Sequence, residues 1–300
     1  MTNRLLKALV YFYFISLCGA CLSPMERAGA FLCLTDSYNR KIKLDKAPQK
    51  IISLSPGITE LLFMLQAENN LIGISDYCNF PEETQYITKV GGLQNINIET
   101  IITLQPDVVL IGSIIPKKEV DKLEKSGITV IAIKQEEKLE GMFEVIKILG
   151  QIVDKTECAD SLILYYENKL NEYKSIEING YSAKTKPTIY YVVSFGVAGD
   201  YTAPSNTYIN EIIEMAGGRN IGDSLTNWNI SREYLFEQNP DIIFVRTEEL
   251  PHFTTTYPYT LLNAVRENRV YPIESGWIDV ISPRNFLALE EIRSKINLHR

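Results

Sequence analysis

The chain has 300 residues, of which 45% are hydrophobic and 22% are charged. This composition is typical of a globular protein with a sizeable core, and the length allows one large domain or two of ordinary size. The formal net charge is −7 and no Lys/Arg cluster is present, which excludes the basic surface that nucleic-acid binding requires.

The first 21 residues predict an export signal. Arg4 and Lys7 supply positive charge, and an apolar stretch of signal-peptide length follows at residues 8–17. Small residues precede Cys21 as in the lipobox of bacterial lipoproteins, although Cys18 stands where such boxes usually have Leu. We expect lipidation of Cys21, with cleavage to a soluble product or an uncleaved anchor as alternatives. Each alternative places the chain in the periplasm or on the outer face of the cytoplasmic membrane.

Three cysteines lie beyond the signal, at positions 33, 78 and 158. They form no C-x-x-C pair, so no zinc site is predicted. An oxidising compartment allows one disulfide among them, but the sequence does not choose the pair. Cys158 lies in a helical stretch and fits a small core residue.

Residues 22–47 predict an exposed tether followed by an edge strand, because Ser, Pro, Glu and Arg are frequent there. From residue 48 to 150, short apolar strands alternate with helices. This alternation predicts an N-terminal α/β lobe with a mostly parallel sheet covered on both faces. The strands are expected at 50–54, 71–74, 108–111 and 129–133, and the helices at 58–65, 117–126 and 139–149.

A long helix is predicted from Asp154 to Lys174, within a linking segment at 151–178. Apolar residues recur there at helical spacing, no Gly or Pro interrupts them, and Asp154 with Glu157 has the spacing of a capping box. A C-terminal α/β lobe is expected at 179–300. Its strands are predicted at 187–193, 242–245 and 269–273, and its helices at 208–216 and 284–296.

One pattern occurs on each side of the long helix, at residues 97–111 and 229–245. In each copy a glutamate, Glu99 or Glu233, precedes a Pro-Asp pair by seven residues, and four apolar residues follow. Each copy predicts a short helix, a Pro-Asp turn and a buried strand. The repeat therefore predicts two similar α/β lobes with mostly parallel sheets, joined by a single long helix.

Common catalytic motifs are missing from the sequence. It has no G-x-G-x-x-G after a strand, no Walker loop, no G-x-S-x-G elbow and no H-E-x-x-H. Its two histidines are His252, placed in a polar loop, and His299 beside the C-terminus, a number too small for a receptor built from several histidines. These features favour a binding protein over an enzyme, with no catalytic residues, no resident cofactor and no metal site.

Aromatic residues occupy the loops that follow predicted strands. Ligands of open α/β sheets bind beyond the carboxyl ends of the strands, where these residues are placed. As a set facing a cleft between two lobes, they fit a large, flat, partly apolar ligand, whereas each alone is as readily explained by packing. These loop residues are Tyr77, Phe80, Phe195, Tyr201, Trp228 and Trp277.

Several motifs carry a resemblance to a known family. They are KIISLSP at 50–56, DYCNFP at 76–81, the two Pro-Asp repeats, NAV at 263–265 with RVY at 269–271, and SPR at 282–284. With these motifs the chain resembles the substrate-binding proteins of bacterial ABC importers for cobalamin, haem and iron-siderophores, whose two lobes are joined by one long helix. The resemblance covers residues from about 35 to 296.

Within that family the pattern is nearest to the cobalamin-binding members. The resemblance implies four candidate aromatics for ligand contact, namely Tyr77, Phe195, Trp228 and Trp277. Leu93 and Ser113 stand where those members have cleft tryptophans, and Gly276 stands where they have a cleft aspartate. Haem and ferric siderophores therefore stay open as ligands, with Tyr77 or His252 as haem ligands.

The resemblance also implies a partner, the dimeric ABC permease. In the family, one glutamate on each lobe docks onto permease arginines, and Glu99 and Glu233 match those positions. We expect a monomeric receptor that captures cobalamin or a related corrinoid between two lobes and delivers it to the permease. The alternatives are a haem or ferric-siderophore receptor and, from another class, a two-lobed extracytoplasmic enzyme.

Overall fold

A computed structural model describes residues 32–92, 95–112, 115–134, 137–175 and 186–299. These residues form two compact α/β units. The first contains the described residues up to 134 together with Phe143–Tyr165, and the second contains the described residues of 137–142 and 166–299. The predicted signal peptide, Cys21 and the start of the tether lie outside the described residues. Within the ranges above, no helix has both the length and the apolar character needed to cross a membrane.

An antiparallel hairpin precedes the first sheet. Strands β1 (Leu32–Thr35) and β2 (Lys41–Leu44) pair Leu32 with Leu44. The sequence predicted one edge strand here, and two form because Asp36 organises the turn between them. Its Oδ1 accepts hydrogen bonds from the backbone N–H groups of Tyr38 and Arg40, each at 3.0 Å, as an Asx turn does.

The first unit is built on a four-stranded parallel sheet with the order β4-β3-β5-β6. These strands carry apolar residues that are buried on both faces, which explains why they appear in the sequence as continuous hydrophobic runs. The strands are β3 (Ile51–Ser53), β4 (Leu71–Ile74), β5 (Val108–Gly112) and β6 (Val130–Ile133), and the helices between them are α1 (Pro56–Met64), α2 (Ile98–Leu104) and α3 (Lys117–Lys125).

Two consecutive helices, α4 (Gly141–Ile152) and α5 (Thr156–Ser175), follow the first sheet. The division between the units falls after Tyr165, so the single helix α5 contributes residues to both. The predicted end of α4 at residue 149 is wrong, because this helix continues through Gly150 to Ile152. A Cβ at this position would lie 2.4 Å from the Cβ of Ala159, so the glycine allows close packing of α4 on α5. Asp154 is not the N-cap of α5; it has φ +56° in the preceding turn.

The second unit repeats the architecture of the first. Its parallel sheet has the order β8-β7-β9-β10, which corresponds strand for strand to β4-β3-β5-β6. The strands are β7 (Thr188–Val192), β8 (Arg219–Asn220), β9 (Ile242–Arg246) and β10 (Val270–Ile273), and the helices are α6 (Tyr208–Ala216), α7 (Arg232–Gln238), α8 (Leu250–Thr255), α9 (Asn263–Arg266), α10 (Ser275–Ile278) and α11 (Asn285–Asn297). The predicted α/β class, with mostly parallel sheets in two similar halves, is confirmed.

The Pro-Asp repeats have one structural role in both units. In the first, Asp107 Oδ2 accepts hydrogen bonds from the N–H groups of Gln49 at 2.7 Å and Lys50 at 2.9 Å, just before β3. In the second, Asp241 Oδ2 accepts from the backbone N and the Oγ1 of Thr188, both at 2.7 Å, at the start of β7. Each aspartate therefore joins the beginning of the first strand of its sheet to the beginning of the neighbouring strand.

Candidate ligand-binding and docking residues

The four candidate aromatics all follow the carboxyl end of a parallel strand. Tyr77 comes after β4, Phe195 after β7, Trp228 after β8 and Trp277 after β10. This is the edge at which open α/β sheets bind ligands. The fold therefore places all four candidates at the edge where a ligand is expected.

Tyr77 is an exposed residue that precedes a buried one, Cys78, in the loop after β4. Its side chain is 58% exposed, whereas Cys78 is buried. Cys78 Sγ accepts a hydrogen bond from Thr59 Oγ1 at 3.2 Å and lies 3.4 Å from Ser75 Oγ. Burial raises the pKa of the Cys78 thiol, so it stays protonated at neutral pH. Cys78 thus anchors the base of the loop while the Tyr77 ring faces solvent.

Phe195 is half-buried among other rings. Its centroid lies 5.1 Å from that of Phe253, 5.5 Å from that of Tyr259 and 5.3 Å from that of His252. His252 was predicted to lie in a loop; it instead belongs to the short helix α8, which Pro251 favours at its first turn. The Phe195–His252 contact leaves both rings at the same end of the second sheet.

Trp228 is the more exposed of the two tryptophans, with 40% of its surface accessible. Its carbonyl accepts a hydrogen bond from Thr202 N at 2.8 Å, so the backbone of this loop is fixed while the indole remains partly free for contact. Trp277 was predicted to lie in a loop; it instead belongs to the short helix α10, where it is half-buried and its carbonyl accepts a hydrogen bond from Asn285 Nδ2 at 2.8 Å. The two tryptophans therefore offer unequal exposed surfaces.

Gly276, one of the departures from the family pattern, lies beside the guanidinium of Arg284. A Cβ at this position would lie 2.4 Å from Nη1 of Arg284 and 2.9 Å from its Cζ. A side chain at position 276 would therefore require the flexible Arg284 side chain to shift. Leu93 and Ser113, the other two departures, lie outside the described residues.

A charged network that sequence reasoning missed fixes the loop between Phe195 and Asp200. The Asp200 carboxylate is buried and pairs with Arg232, with Nε 2.9 Å from Oδ2. Tyr259 donates its hydroxyl proton to Asp200, and the backbone N–H of Gly196 donates to Tyr259 Oη at 2.9 Å. Burial and then the hydrogen bond to Asp200 raise the pKa of Tyr259. No local pattern indicates this network, because its members are far apart in the chain.

A second network fixes the segment that carries Trp277. Asp279 accepts a hydrogen bond from Arg246 Nε at 2.7 Å and another from the hydroxyl of Tyr191. Burial, followed by the charge of Asp279, raises the pKa of Tyr191 well above its ordinary value. Since Arg246 ends β9 and Tyr191 lies in β7, this carboxylate fixes the end of helix α10 to two central strands.

Glu99 and Glu233 occupy equivalent and exposed positions in the first turns of α2 and α7. Asn97 caps one helix by accepting from Thr100 N at 3.0 Å, and Ser231 caps the other by accepting from Tyr234 N at 3.1 Å. Each helix leads back into a central strand of its sheet, so each glutamate lies at the edge where the aromatic loops of its own unit emerge.

Metal-binding features are not found in the described part of the chain. No group of three or more His, Cys, Asp or Glu side chains there is arranged to hold a metal ion. Among the described residues, Cys33, Cys78 and Cys158 form no disulfide, and of these three only Cys33 is exposed.

Comparison with known proteins identifies the family. A family model described as periplasmic binding protein matches residues 51–275. The chain belongs to this family. Its substrate-binding members imply a small-molecule ligand, a permease partner and an extracytoplasmic location, and the relatives are binding proteins by name.

Individual relatives cover most of the chain. An uncharacterised ABC transporter substrate-binding lipoprotein of Bacillus subtilis is 25% identical over 269 residues, which is 88% of this chain and 84% of that protein. A vitamin B12-binding protein of Vibrio vulnificus is 25% identical over 258 residues, which is 84% of this chain and 91% of that protein. The crystal structure of a periplasmic haem-binding protein from Pseudomonas aeruginosa shares the fold, with a TM-score of 0.75 at 20% identity over 83% of this chain and 92% of that one.

Proposed function

We propose that this periplasmic binding protein captures cobalamin or a related corrinoid and delivers it to the permease dimer of an ABC importer. The observation that carries the proposal is the placement of aromatic side chains beyond the carboxyl ends of parallel strands in both units. A corrinoid offers broad, partly apolar faces, which such rings recognise by burial and stacking. The relative named as a vitamin B12-binding protein supports this ligand class.

The rings take different parts in the proposed site. Tyr77 and Trp228 expose 58% and 40% of their surfaces, so they have area to bury on a ligand. Phe195 and Trp277 are half-buried, so each offers a smaller area to a ligand. Hydrogen bonds already fix the backbones of these loops, which reduces the entropy lost when a ligand binds.

Docking is proposed to use Glu99 and Glu233. The two carboxylates are exposed, equivalent and carried one on each unit, so a two-fold symmetric permease can meet them with one arginine per subunit. Arginine–carboxylate pairs form charge-assisted, often bidentate bonds. We further propose that the receptor is a monomer held at the membrane by a lipid on Cys21, as the name of the Bacillus subtilis relative supports for the anchor.

A haem or ferric-siderophore receptor is the second candidate. Tyr77 or His252 would be the haem ligand, and the ring of His252 lies against Phe195 in the second unit. The rival from another class is a two-lobed extracytoplasmic enzyme; turnover of a small molecule by the purified protein would favour it.

Calorimetric titration of the purified protein with cyanocobalamin, haemin and a ferric siderophore tests the proposal. We expect saturable heat with cyanocobalamin and weaker or no heat with the other two. Tight binding of haemin or the siderophore with no heat from cyanocobalamin would transfer the assignment to the second candidate.

A further inference from the structure

In the second unit, the loop that carries Phe195 is bonded directly to the helix that carries Glu233. Arg232, the first residue of α7, places its Nε 2.9 Å from Asp200 Oδ2. It also donates from Nη2 to the carbonyl of Gly196 at 2.7 Å. Both partners belong to the loop after β7, so one guanidinium connects the segment proposed to contact the ligand with the turn proposed to contact the permease.

Of the two partners in this ion pair, Asp200 is buried and Arg232 is accessible to solvent. The Asp200 side chain is 2% exposed and also holds Tyr259 and the N–H of Gly196, whereas the Arg232 side chain is 46% exposed. The hydrogen bond to Asp200 raises the pKa of Arg232, so its charge is kept. At the tip of the loop, Val197 is fully exposed and open to contact.

The residue at the equivalent position of the first unit is an isoleucine, Ile98. Ile98 precedes Glu99 just as Arg232 precedes Glu233, and its apolar side chain packs against the core of the first sheet. An isoleucine can form neither the ion pair nor the bond to a carbonyl. The first turns of α2 and α7 are therefore equivalent in position, but only in α7 does the side chain of the residue before the glutamate bond to the loop after the first strand of the sheet.

We propose that Arg232 is a positioning residue that couples ligand contact at the Phe195 loop to permease contact at Glu233, in the second unit alone. This inference rests on the proposed function. A ligand that displaces or stiffens the loop changes where Arg232 holds the first turn of α7, and with it the presentation of Glu233. By thermodynamic reciprocity, docking at Glu233 changes ligand affinity by the same factor.

The first test needs no ligand. Amide hydrogen exchange is measured on the full chain for the wild type, for Arg232→Lys, which keeps the charge and loses the planar fork, and for Arg232→Gln. We expect exchange to rise about tenfold at Gly196 and at Tyr234 together in both variants, and to stay unchanged at Thr100 in the first unit. Faster exchange at Gly196 with none at Tyr234 would overturn the coupling.

Lys295→Gln is the matched control, since it removes one positive charge from the same unit. Its Nζ pairs with Glu291 at 3.2 Å and lies over Tyr271, away from both elements of the coupling. We expect this control to leave exchange at Gly196 and Tyr234 at wild-type rates. A matching rise in the control would assign the effect to general destabilisation and overturn the inference.

The second test measures coupling itself, with cyanocobalamin and haemin as probes and the permease in nanodiscs. For the wild type, permease affinity should differ several-fold between free and loaded receptor, and for Arg232→Gln that ratio should approach one. An unchanged ratio in the variant would overturn the inference while leaving the proposed function intact. If neither probe bound the wild type, the corrinoid and haem assignments would fail, and hydrogen exchange would still decide the role of Arg232.

Discussion

Substitution of Trp228 by alanine probes the proposed ligand surface most sharply. The indole is 40% exposed. A tryptophan side chain has ~250 Å² of surface, so ~100 Å² is available for burial on a ligand. At ~25 cal/mol per Å² this area corresponds to ~2.5 kcal/mol. We therefore expect Trp228→Ala to weaken cyanocobalamin binding by roughly 60-fold, within a range of ~1–3 kcal/mol.

The fold should survive this change, because the hydrogen bond that fixes the loop uses the backbone carbonyl of Trp228, which alanine retains. Leu298→Ala is the matched control. Leu298 is 67% exposed and follows the last helix, next to His299, which is bonded to Tyr271 at the start of β10. It thus exposes a comparable apolar area at the opposite edge of the sheet.

Isothermal titration calorimetry gives the dissociation constant of each variant, and circular dichroism confirms that both remain folded. Affinity in the Leu298 variant should stay within twofold of the wild type. Equal affinities of the wild type and the Trp228 variant would refute the argument that exposed ring area at this edge is ligand-binding surface.

Three further outcomes follow from the described contacts. Reversing both docking charges, with Glu99→Lys and Glu233→Lys, should abolish permease binding and uptake while ligand affinity stays within twofold. Glu157→Lys is the control, because Glu157 is an exposed first-turn glutamate outside the repeats. If the double variant still bound the permease at low salt, Glu99 and Glu233 would be helix-start carboxylates with no docking role. Gly150→Ala should lower the free energy of unfolding by ~1–3 kcal/mol, because overpacking against Ala159 outweighs the ~1 kcal/mol gain in helix propensity. Denaturant melts should show that adding Ala159→Gly restores part of the lost stability. A Gly150→Ala variant more stable than the wild type would contradict the packing argument. Since burial raises the pKa of the Cys78 thiol, the protonated thiol contributes fully to stability below the ordinary thiol pKa, and this contribution is lost as pH rises from about 8.5 upward. In urea melts, Cys78→Ala should therefore show a smaller decline in the free energy of unfolding above that pH. The same decline in the variant and the wild type would contradict this role of Cys78.

Much of the fold could be predicted because its signals are local. The helix α6 was predicted with its observed bounds, since its apolar periodicity ends at Gly217, which adopts a left-handed conformation with φ +103°. Strand β4 was also placed correctly from four residues of mainly apolar character. The Pro-Asp repeats predicted the equivalence of the two halves, and the matching strand orders of the two sheets confirm it.

Other features depend on contacts between distant segments and leave no local pattern. Strand β8 has only two residues, too few for a period, and becomes a strand through pairing with β7. The Arg232–Asp200 pair joins residues 32 positions apart, and no spacing rule links them. The roles of Tyr77, Phe195, Trp228 and Trp277 stay predictions, because a position at the correct edge of a sheet does not measure contact with a ligand.

The measurement that tests the central claim most directly is the absorption spectrum of the full-length protein purified from the organism that makes it, without added ligand. Cobalamin, haem and ferric siderophores absorb differently, so a co-purified ligand identifies itself. We predict a corrinoid spectrum that diminishes when Trp228→Ala replaces the wild type. A haem or ferric-siderophore spectrum that survives this substitution would contradict the account.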